Sequence, residues 1–276
     1  IQIFYTGGFL YLNPVLLRLE FLLWRFLGVR IIAMAYGADV RQESITRALG
    51  TYHAYLDMTH EQVLKESGQT EKQIRDRVRF IMRWASASIS MGDMIEYTPG
   101  SKNDLFYWAI DVHDWKPVYD PGNDKVVIVH APNSPHYKGT RFLLEAIERL
   151  KTEGHQIEFV LVRGMTNDEA RRLYERADIF AEQFIIGFHG LTAIEAMALG
   201  KPVLCYLRKP ELYVPGPDEC PIVNTSPDNL YENLLSLVQD KAKRQALGRA
   251  GRAYVEKYWS LESVGKRFDM LYKSIW

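Results

Sequence analysis

The sequence predicts an α/β fold with two doubly wound domains, and three features of the chain indicate it. Short apolar runs alternate with stretches of helical periodicity, which is the pattern of strands and helices around a parallel sheet. This alternation stops at residues 114–124, where two prolines and a glycine stand in a stretch without periodicity, and then starts again. The length of 276 residues allows one large domain or two ordinary ones. We therefore expect domains at 1–116 and 117–257, followed by a terminal helical segment at 258–276.

Composition and charge narrow the class of protein. Hydrophobic residues make up 47% of the chain and charged residues 25%, values that are typical of a soluble globular protein. Lys+Arg and Asp+Glu both number 34, and this balance argues against a protein that holds nucleic acid through a general basic field. The two cysteines, Cys205 and Cys220, have neither the spacing of a metal site nor the number for a disulfide framework, which fits a reducing cytoplasm.

One stretch, residues 9–29, is apolar enough to raise the question of a membrane span. Three charged residues interrupt it, namely Arg18, Glu20 and Arg25. A transmembrane helix needs about 20 consecutive, predominantly apolar residues. A buried or interfacial helix is therefore favoured over a span, and a peripheral contact with a membrane is left open.

The first half of the chain alternates as a parallel sheet requires. We predict helices at 14–27 and 70–84, the second with Thr70 and Gln73 as a capping box. The predicted strands are 1–6, 29–35 and 87–91, with a short further one at 104–110. The ligand crevice of such a sheet lies at the carboxyl ends of its strands. Residues at two of these ends are the candidates for the acceptor side of a cleft: Gly7, Gly8, Tyr36 and Asp39. The alternative role for Asp39 is to cap the turn that follows.

The second half repeats the pattern with more elements. The predicted strands are 125–130, 156–162, 178–184, 203–207 and 220–224. The predicted helices are 140–150, 167–176, one that starts near Leu191 and ends before Gly200, and 227–239, and the rest of the chain, 241–276, is expected to be helical. Lys138 and Gly139 stand directly before the first of these helices, where an ammonium group and helix N–H groups can hold a phosphate together.

The stretch from Ala177 to Leu207 is the unit that carries the chemistry. An apolar strand leads into a loop with two glycines, Gly187 and Gly190, and the loop leads into a compact helix. A loop that ends in a helix N-terminus presents unpaired backbone N–H groups and a partial positive charge, which suits a phosphate. Glu195 follows one helical turn later, and its carboxylate can accept hydrogen bonds from sugar hydroxyls. The spacing predicts a pocket for a nucleotide sugar.

Residues 187–203 resemble the donor-site signature of GT-B glycosyltransferases of the GT4 (group 1) family, E-G-F-G-(x4)-E-A-M-A-x-G-x-P-V. The second half of the signature matches closely, whereas Gly187 stands where the family has its first Glu. The resemblance implies two Rossmann-like domains, of which the first is incomplete because its opening βα units would precede Ile1. It also implies that the terminal helix at 258–276 crosses back to the first domain.

The activity implied by the resemblance is transfer of a sugar from a nucleotide-diphosphate sugar, of the UDP or GDP type, to a hydroxyl acceptor with retention. The acceptor would be a glycan, a lipid-linked molecule or a small molecule, as in polysaccharide biosynthesis. The family works without a metal ion, and no cofactor or nucleic acid is expected; no Asp-x-Asp motif is present. The location would be the cytoplasm, with the inner face of a membrane left open.

The resemblance also assigns roles to residues. Lys138 and Glu195 match the family's phosphate-binding lysine and ribose-binding glutamate, and we take them as the catalytic pair; otherwise they would be solvated surface charges. Pro132 stands where the family has an Arg, so His130 or Arg163 is expected to supply that positive charge. The remaining donor-binding candidates all belong to the glycine loop and the helix start: Gly187, His189, Gly190, Leu191 and Thr192. Glu182 is a further candidate, as a substitute for the missing carboxylate.

Two alternatives remain beside the transferase. The first is a degenerate GT-B protein that binds a nucleotide or a partner without turnover, and three departures from the family pattern motivate it: Gly187, Pro132 and Tyr36, which replaces the family's His. The second is a GT-B nucleotide-sugar epimerase, which would need a set of acidic and His groups that the sequence does not show.

Overall fold

A computed structural model describes residues 1–276, and the chain divides into two compact units. The first unit comprises 1–50, 57–107 and 265–276, and the second comprises 51–56 and 108–264. Each unit contains its own parallel sheet. The domain bounds expected from the linker composition stay a prediction, because compactness alone does not define a domain.

The first unit contains a parallel sheet in the order β1-β2-β3. Its strands are β1 (Gln2–Phe4), β2 (Ile32–Met34) and β3 (Ala87–Ile89), and Phe4, Met34 and Ile89 are aligned across them. The helices are α1 (Pro14–Phe26), α2 (Glu43–Ala48), α3 (His60–Ser67) and α4 (Glu71–Trp84), and a 3₁₀ turn spans Gly92–Tyr97. The capping box predicted for α4 is confirmed, with Thr70 accepting from the Gln73 N–H and Gln73 accepting from the Thr70 N–H.

The second unit is built on five parallel strands in the order β5-β4-β6-β7-β8. These are β4 (Val126–His130), β5 (Ile157–Leu161), β6 (Ile179–Ala181), β7 (Val203–Cys205) and β8 (Val223–Asn224). The helices are α5 (Pro135–Lys138), α6 (Thr140–Thr152), α7 (Asn167–Arg176), α8 (Leu191–Ala198), α9 (Pro210–Tyr213), α10 (Leu230–Gln239), α11 (Lys241–Tyr258) and α12 (Leu261–Ile275), the last continuing into the first unit.

The strand order of the second unit creates a topological switch point. The chain leaves β4 to form β5 on one side and then returns to form β6 on the other side. His130 is aligned with Leu161 on β5 and with Ala181 on β6, so the carboxyl ends of the three strands meet at one edge. A crevice outside this edge is the expected ligand position in a doubly wound sheet.

One predicted element is wrong. Residues 104–110 form no strand, since only Ile110 makes an isolated bridge, to Ser260, and Phe106 has a φ of +39°, which is incompatible with extended backbone. The apolar residues of this run are buried by packing instead. The stretch 241–276 is helical as expected, and it consists of two helices, α11 and α12, with a break at Trp259 and Ser260.

No helix of the chain combines the length and the apolar character that crossing a bilayer requires.

Candidate functional site

A cavity of about 670 Å³ lies at the switch point of the second unit. Its walls come from the residues after β4 and β5 and from the first turns of α7 and α8. Six residues that the sequence marks as donor-binding or catalytic line it together: Lys138, Arg163, Gly190, Leu191, Thr192 and Glu195. The structure thus brings the ammonium and the carboxylate of the predicted pair to one cavity.

The start of α8 supplies backbone donors to this cavity. Gly190 precedes the helix with extended backbone, and no side chain caps the first turn. The N–H groups of Leu191 and Thr192 are therefore available to an anion at the positive end of the helix dipole. A larger residue than glycine does not fit at this point, because a Cβ on Gly190 would lie 2.9 Å from the Glu182 Oε1 atom.

Lys138 is held at the cavity wall by a buried carboxylate. Its Nζ atom lies 2.5 Å from Oε1 of Glu182, whose side chain is fully buried. The same carboxylate accepts from Thr192 Oγ1 at 3.3 Å and from Cys205 Sγ at 3.3 Å. Glu182 therefore holds the Lys138 ammonium near the N-terminus of α8. The sequence predicts Glu182 only as a substitute for the missing carboxylate, although an ionisable residue inside an otherwise apolar strand is itself a signal for a buried ion pair.

Glu195 differs from Glu182 because no protein group donates a hydrogen bond to its carboxylate. Burial raises the pKa of Glu195 to about 7, and the Lys138 ammonium lowers it in part. Tyr174 lies on the same wall, and burial, followed by the charges of Glu195 and Glu182, raises its pKa to about 12. A half-buried carboxylate without a protein donor is suited to receive hydroxyl groups from a ligand.

The two candidates for the missing positive charge have different surroundings. His130 is buried and does not line the cavity. Both ring nitrogens are used by the protein, since Nδ1 donates to the Ala181 carbonyl at 2.7 Å and Nε2 accepts from Thr140 Oγ1 at 2.8 Å. Burial lowers the pKa of His130 to about 4, so the ring is neutral at pH 7. Its role is to join the end of β4 to the first residue of α6. Arg163 is exposed on the cavity wall and remains a charged group that a ligand can reach.

Gly187 and His189 also lie outside the cavity lining. Gly187 has a φ of +98°, and a Cβ there would lie 2.7 Å from the guanidinium carbon of Arg208, so Arg208 occupies the space of a side chain at this position. His189 is buried against the rings of Trp108, Phe188 and Trp259, and burial lowers its pKa to about 4. The structure therefore does not bring these two residues to the cavity.

In the first unit, the acceptor-side candidates lie at the carboxyl ends of β1 and β2. The Asp39 carboxylate accepts from three backbone N–H groups, those of Tyr36 at 3.0 Å, Gly37 at 2.9 Å and Tyr5 at 3.1 Å. Burial raises the pKa of Asp39, and these hydrogen bonds oppose the rise. The carboxylate therefore closes the turn after β2, which is the alternative role considered for it. Tyr36 is exposed, with its ring edge against Phe4.

The glycine pair after β1 is constrained by α1. A Cβ on Gly8 would lie 2.4 Å from the Glu20 carboxylate, which accepts from the N–H groups of Phe9 and Leu10. The chain approaches α1 so closely at Gly8 that no side chain fits there. A Cβ on Gly7 would likewise lie 2.9 Å from Tyr11. A second cavity of about 360 Å³ lies nearby, and its walls include Tyr11, Arg18, Gln69, Gln73 and Arg77 but none of the four acceptor-side candidates.

Comparison with known proteins matches part of the second unit to one family. Residues 162–254 match the family model described as glycosyl transferases group 1. Over 87 residues the chain is 36% identical to a GDP-mannose-dependent monoacylated alpha-(1-6)-phosphatidylinositol monomannoside mannosyltransferase of Corynebacterium glutamicum. This match covers 31% of the chain and spans only 23% of the length of that relative.

Solved structures resemble a larger part of the chain. The sucrose-phosphate synthase of Thermosynechococcus elongatus superposes with a TM-score of 0.64 at 17% identity, covering 91% of this chain and 70% of that one. The Anabaena protein Alr3699/HepE, solved in complex with UDP-glucose, superposes with a TM-score of 0.61 at 13% identity, covering 93% of this chain and 76% of that one. At such identities these likenesses show the fold alone. Residues 162–254 therefore match the glycosyl transferases group 1 family, and the chain has the GT-B fold.

Proposed function

We propose that the protein is a glycosyltransferase that moves a sugar from a nucleotide-diphosphate sugar to a hydroxyl group of an acceptor, with retention. The observation that carries the proposal is the shared cavity at the switch point of the second unit. There, Lys138, the uncapped start of α8 and the unpaired Glu195 carboxylate line one space of about 670 Å³. This volume falls within the range of ordinary small-molecule sites, about 300–1,000 Å³.

Each wall of the cavity suits one part of such a donor. The diphosphate would lie against the N–H groups of Leu191 and Thr192, with the Lys138 ammonium and Arg163 as counter-charges. Glu195 would accept hydrogen bonds from the ribose hydroxyls, because no protein group donates a hydrogen bond to its carboxylate. As the bond from the sugar to the diphosphate breaks, negative charge grows on the departing phosphate, and fixed donors in a half-buried cavity stabilise that charge.

For the donor and the acceptor we propose only a chemical class. The relative from Corynebacterium is named for GDP-mannose and the Anabaena structure contains UDP-glucose, which supports GDP and UDP as the first nucleotides to test. The name of the same relative supports a lipid-linked acceptor, with a polysaccharide as the other choice. The two free cysteines support a reducing compartment such as the cytoplasm as the location.

The proposal is tested by calorimetric titration of the protein with UDP, GDP and ADP. Removing the ammonium in Lys138→Met should weaken binding of the preferred nucleotide by about 10- to 100-fold, the effect of losing a hydrogen bond from a charged group. The matched control is Lys151→Met, because Lys151 lies exposed on α6 beside Glu148 and should leave affinity unchanged. No binding of any nucleotide by the parent protein, or equal binding by Lys138→Met, would contradict the assignment.

A second function, binding without turnover, is favoured by two observations. Glu182 already forms an ion pair with Lys138, and Arg208 fills the side-chain space at Gly187. In that case nucleotide would bind as above, but no nucleoside diphosphate would be released from any of the UDP-, GDP- or ADP-sugars in the presence of candidate acceptors. Release of nucleoside diphosphate together with a glycosylated acceptor establishes the transferase.

A further inference from the structure

One part of the cavity wall at the switch point has no role in the binding of the nucleoside diphosphate. It is formed by the indole ring of Trp108 and by the amide side chain of Gln183, which belongs to the loop after β6. Neither side chain carries a charge that could pair with a phosphate. What these two groups can bind follows from how each of them is held.

The ring of Trp108 is fixed by the loop that precedes α8. It stacks on Phe188, with the two ring centroids 5.6 Å apart and the ring planes at 25°, and it lies at 62° to the ring of His189. Phe188 is itself buried, so the core covers one face of the indole. The surface that Trp108 presents to the cavity is therefore its other face together with its edge, an apolar area that is held in place.

Gln183 presents a hydrogen-bond acceptor to the same cavity. Only 4% of the residue is exposed, and its Nε2 atom donates to the Phe188 carbonyl. Because this contact identifies the nitrogen end of the amide, Oε1 is the other end, and no protein group donates to it. A buried amide oxygen that lines a cavity without a protein donor is suited to a ligand hydroxyl, since an unpaired buried acceptor is costly.

The order of groups along the cavity indicates which part of a donor reaches this wall. Glu195, proposed for the ribose, lies one turn inside α8, and its neighbour Tyr174 belongs to α7. The diphosphate position is the start of α8, and Phe188, on which Trp108 stacks, comes just before that start. In a nucleotide-diphosphate sugar the diphosphate joins the ribose to the transferred sugar. A donor with its ribose at Glu195 therefore has its sugar towards Trp108 and Gln183.

We propose that Trp108 and Gln183 form the subsite for the transferred sugar and that this sugar is an uncharged pyranose. The C–H groups on one face of the sugar ring lie on the indole, and one hydroxyl donates to Gln183 Oε1. The two cationic side chains that line the cavity, Lys138 and Arg163, are used by the diphosphate, so a carboxylate on the sugar finds no counter-charge. The inference rests on the proposed function and adds the class of sugar to it.

The test compares a nucleoside diphosphate with the matching nucleotide sugar in calorimetric titrations. The two pairs are UDP with UDP-glucose and GDP with GDP-mannose, and the pair whose nucleotide binds more tightly is used. Trp108→Ala should weaken binding of the nucleotide sugar by about 10-fold, the effect of losing one aromatic contact, and leave binding of the nucleoside diphosphate unchanged. Trp108→Phe keeps an aromatic face and should bind the nucleotide sugar within about threefold of the parent protein.

Two further variants separate the sugar contacts from effects on the fold. Trp115→Ala is the matched control, because this indole is also half-buried but packs on Arg171 away from the cavity lining, and both affinities should stay the same. Gln183→Met removes the acceptor and should cost the nucleotide sugar about fivefold, with little change for the nucleoside diphosphate.

Fluorine NMR and a charged sugar provide independent readouts. The chain has six tryptophans, and in fluorotryptophan-labelled protein the resonance that Trp108→Phe removes should shift with the nucleotide sugar and hardly with the nucleoside diphosphate. The uronate of the chosen pair, UDP-glucuronate or GDP-mannuronate, should bind about 10-fold more weakly than the neutral nucleotide sugar.

Three outcomes would overturn the inference and leave the proposed function standing. The first is a Trp108→Ala variant that binds the nucleotide sugar as tightly as the parent protein does. The second is an equal loss for nucleotide and nucleotide sugar, since Trp108 would then support the loop and not the sugar. The third is tighter binding of the uronate than of the neutral nucleotide sugar. A parent protein that binds no nucleotide would overturn the proposed function, and this inference with it.

Discussion

Glu195→Gln should stabilise the folded protein at alkaline pH while weakening nucleotide binding. Burial raises the pKa of Glu195 to about 7, from an ordinary value of 4.5. In the pH range between these two values the native state therefore holds a proton that the unfolded state has released. Stability from this group is fully present below pH 4.5 and is lost as the pH rises to about 7, where the buried carboxylate ionises.

The magnitude follows from the two pKa values. Their difference corresponds to about 3 kcal/mol, and we discount this to about 2 kcal/mol because the side chain keeps part of its hydration in the cavity. A neutral glutamine does not carry this cost. Urea unfolding should therefore show Glu195→Gln to be more stable than the parent protein by about 2 kcal/mol near pH 8, and by only a few tenths near pH 4.5.

The comparison needs a control with the same chemical change. Glu148→Gln replaces an exposed carboxylate on α6 and should show no such dependence on pH. An equal stability change at both pH values, or a loss of stability near pH 8, would refute the reasoning, because the carboxylate would then not be held in a desolvated state. Loss of nucleotide affinity in the stabilised variant would place Glu195 among groups kept for function at a cost in stability.

Three further predictions concern the scaffold, each measured by thermal or urea unfolding. Gly248→Ala should destabilise the fold by about 3 kcal/mol or more, because the new Cβ would lie 2.0 Å from the Gly200 carbonyl oxygen. Gly265→Ala is its matched control in α12. The new methyl group there has open space around it and should stabilise the fold by about 0.5–1 kcal/mol through helix propensity. A Gly248→Ala variant more stable than Gly265→Ala would contradict the packing described. Asp39→Ala should cost about 3 kcal/mol or more since it leaves three backbone N–H groups without their acceptor, and an unchanged midpoint would show that the turn closes by other means. Gly187→Ala should cost about 1–2 kcal/mol from its φ of +98°, and a neutral result would show that the loop can relax.

Local signals in the sequence located helices better than strands. The bounds predicted for α7 agree with the structure, because a helix start and stop are encoded by neighbouring residues such as the Thr166 cap. The strand predicted at 178–184 is only Ile179–Ala181, although Phe184 is still buried. An apolar run reports burial, whereas strand length depends on a partner strand that is distant in sequence. α3 was not predicted, yet its capping box at Thr59 was a readable signal.

The candidate site could be predicted in part for a related reason. Lys138 and Glu195 each stand next to a recognisable helix start, so sequence alone indicated that they face the same crevice. Nothing local shows which charged residue pairs with which, and the Glu182 contact joins residues 44 positions apart. Burial of His130 and His189 likewise depends on packing. Because His130 is buried its ring is neutral, although the sequence makes it a candidate for a positive charge.

The most direct measurement is a crystal structure of the protein with the nucleoside diphosphate that binds best. The account predicts the two phosphates against the N–H groups of Leu191 and Thr192, the Lys138 ammonium on a phosphate oxygen, and the ribose hydroxyls on the Glu195 carboxylate. A nucleotide bound away from the start of α8, or a ribose that leaves Glu195 without a contact, would contradict it.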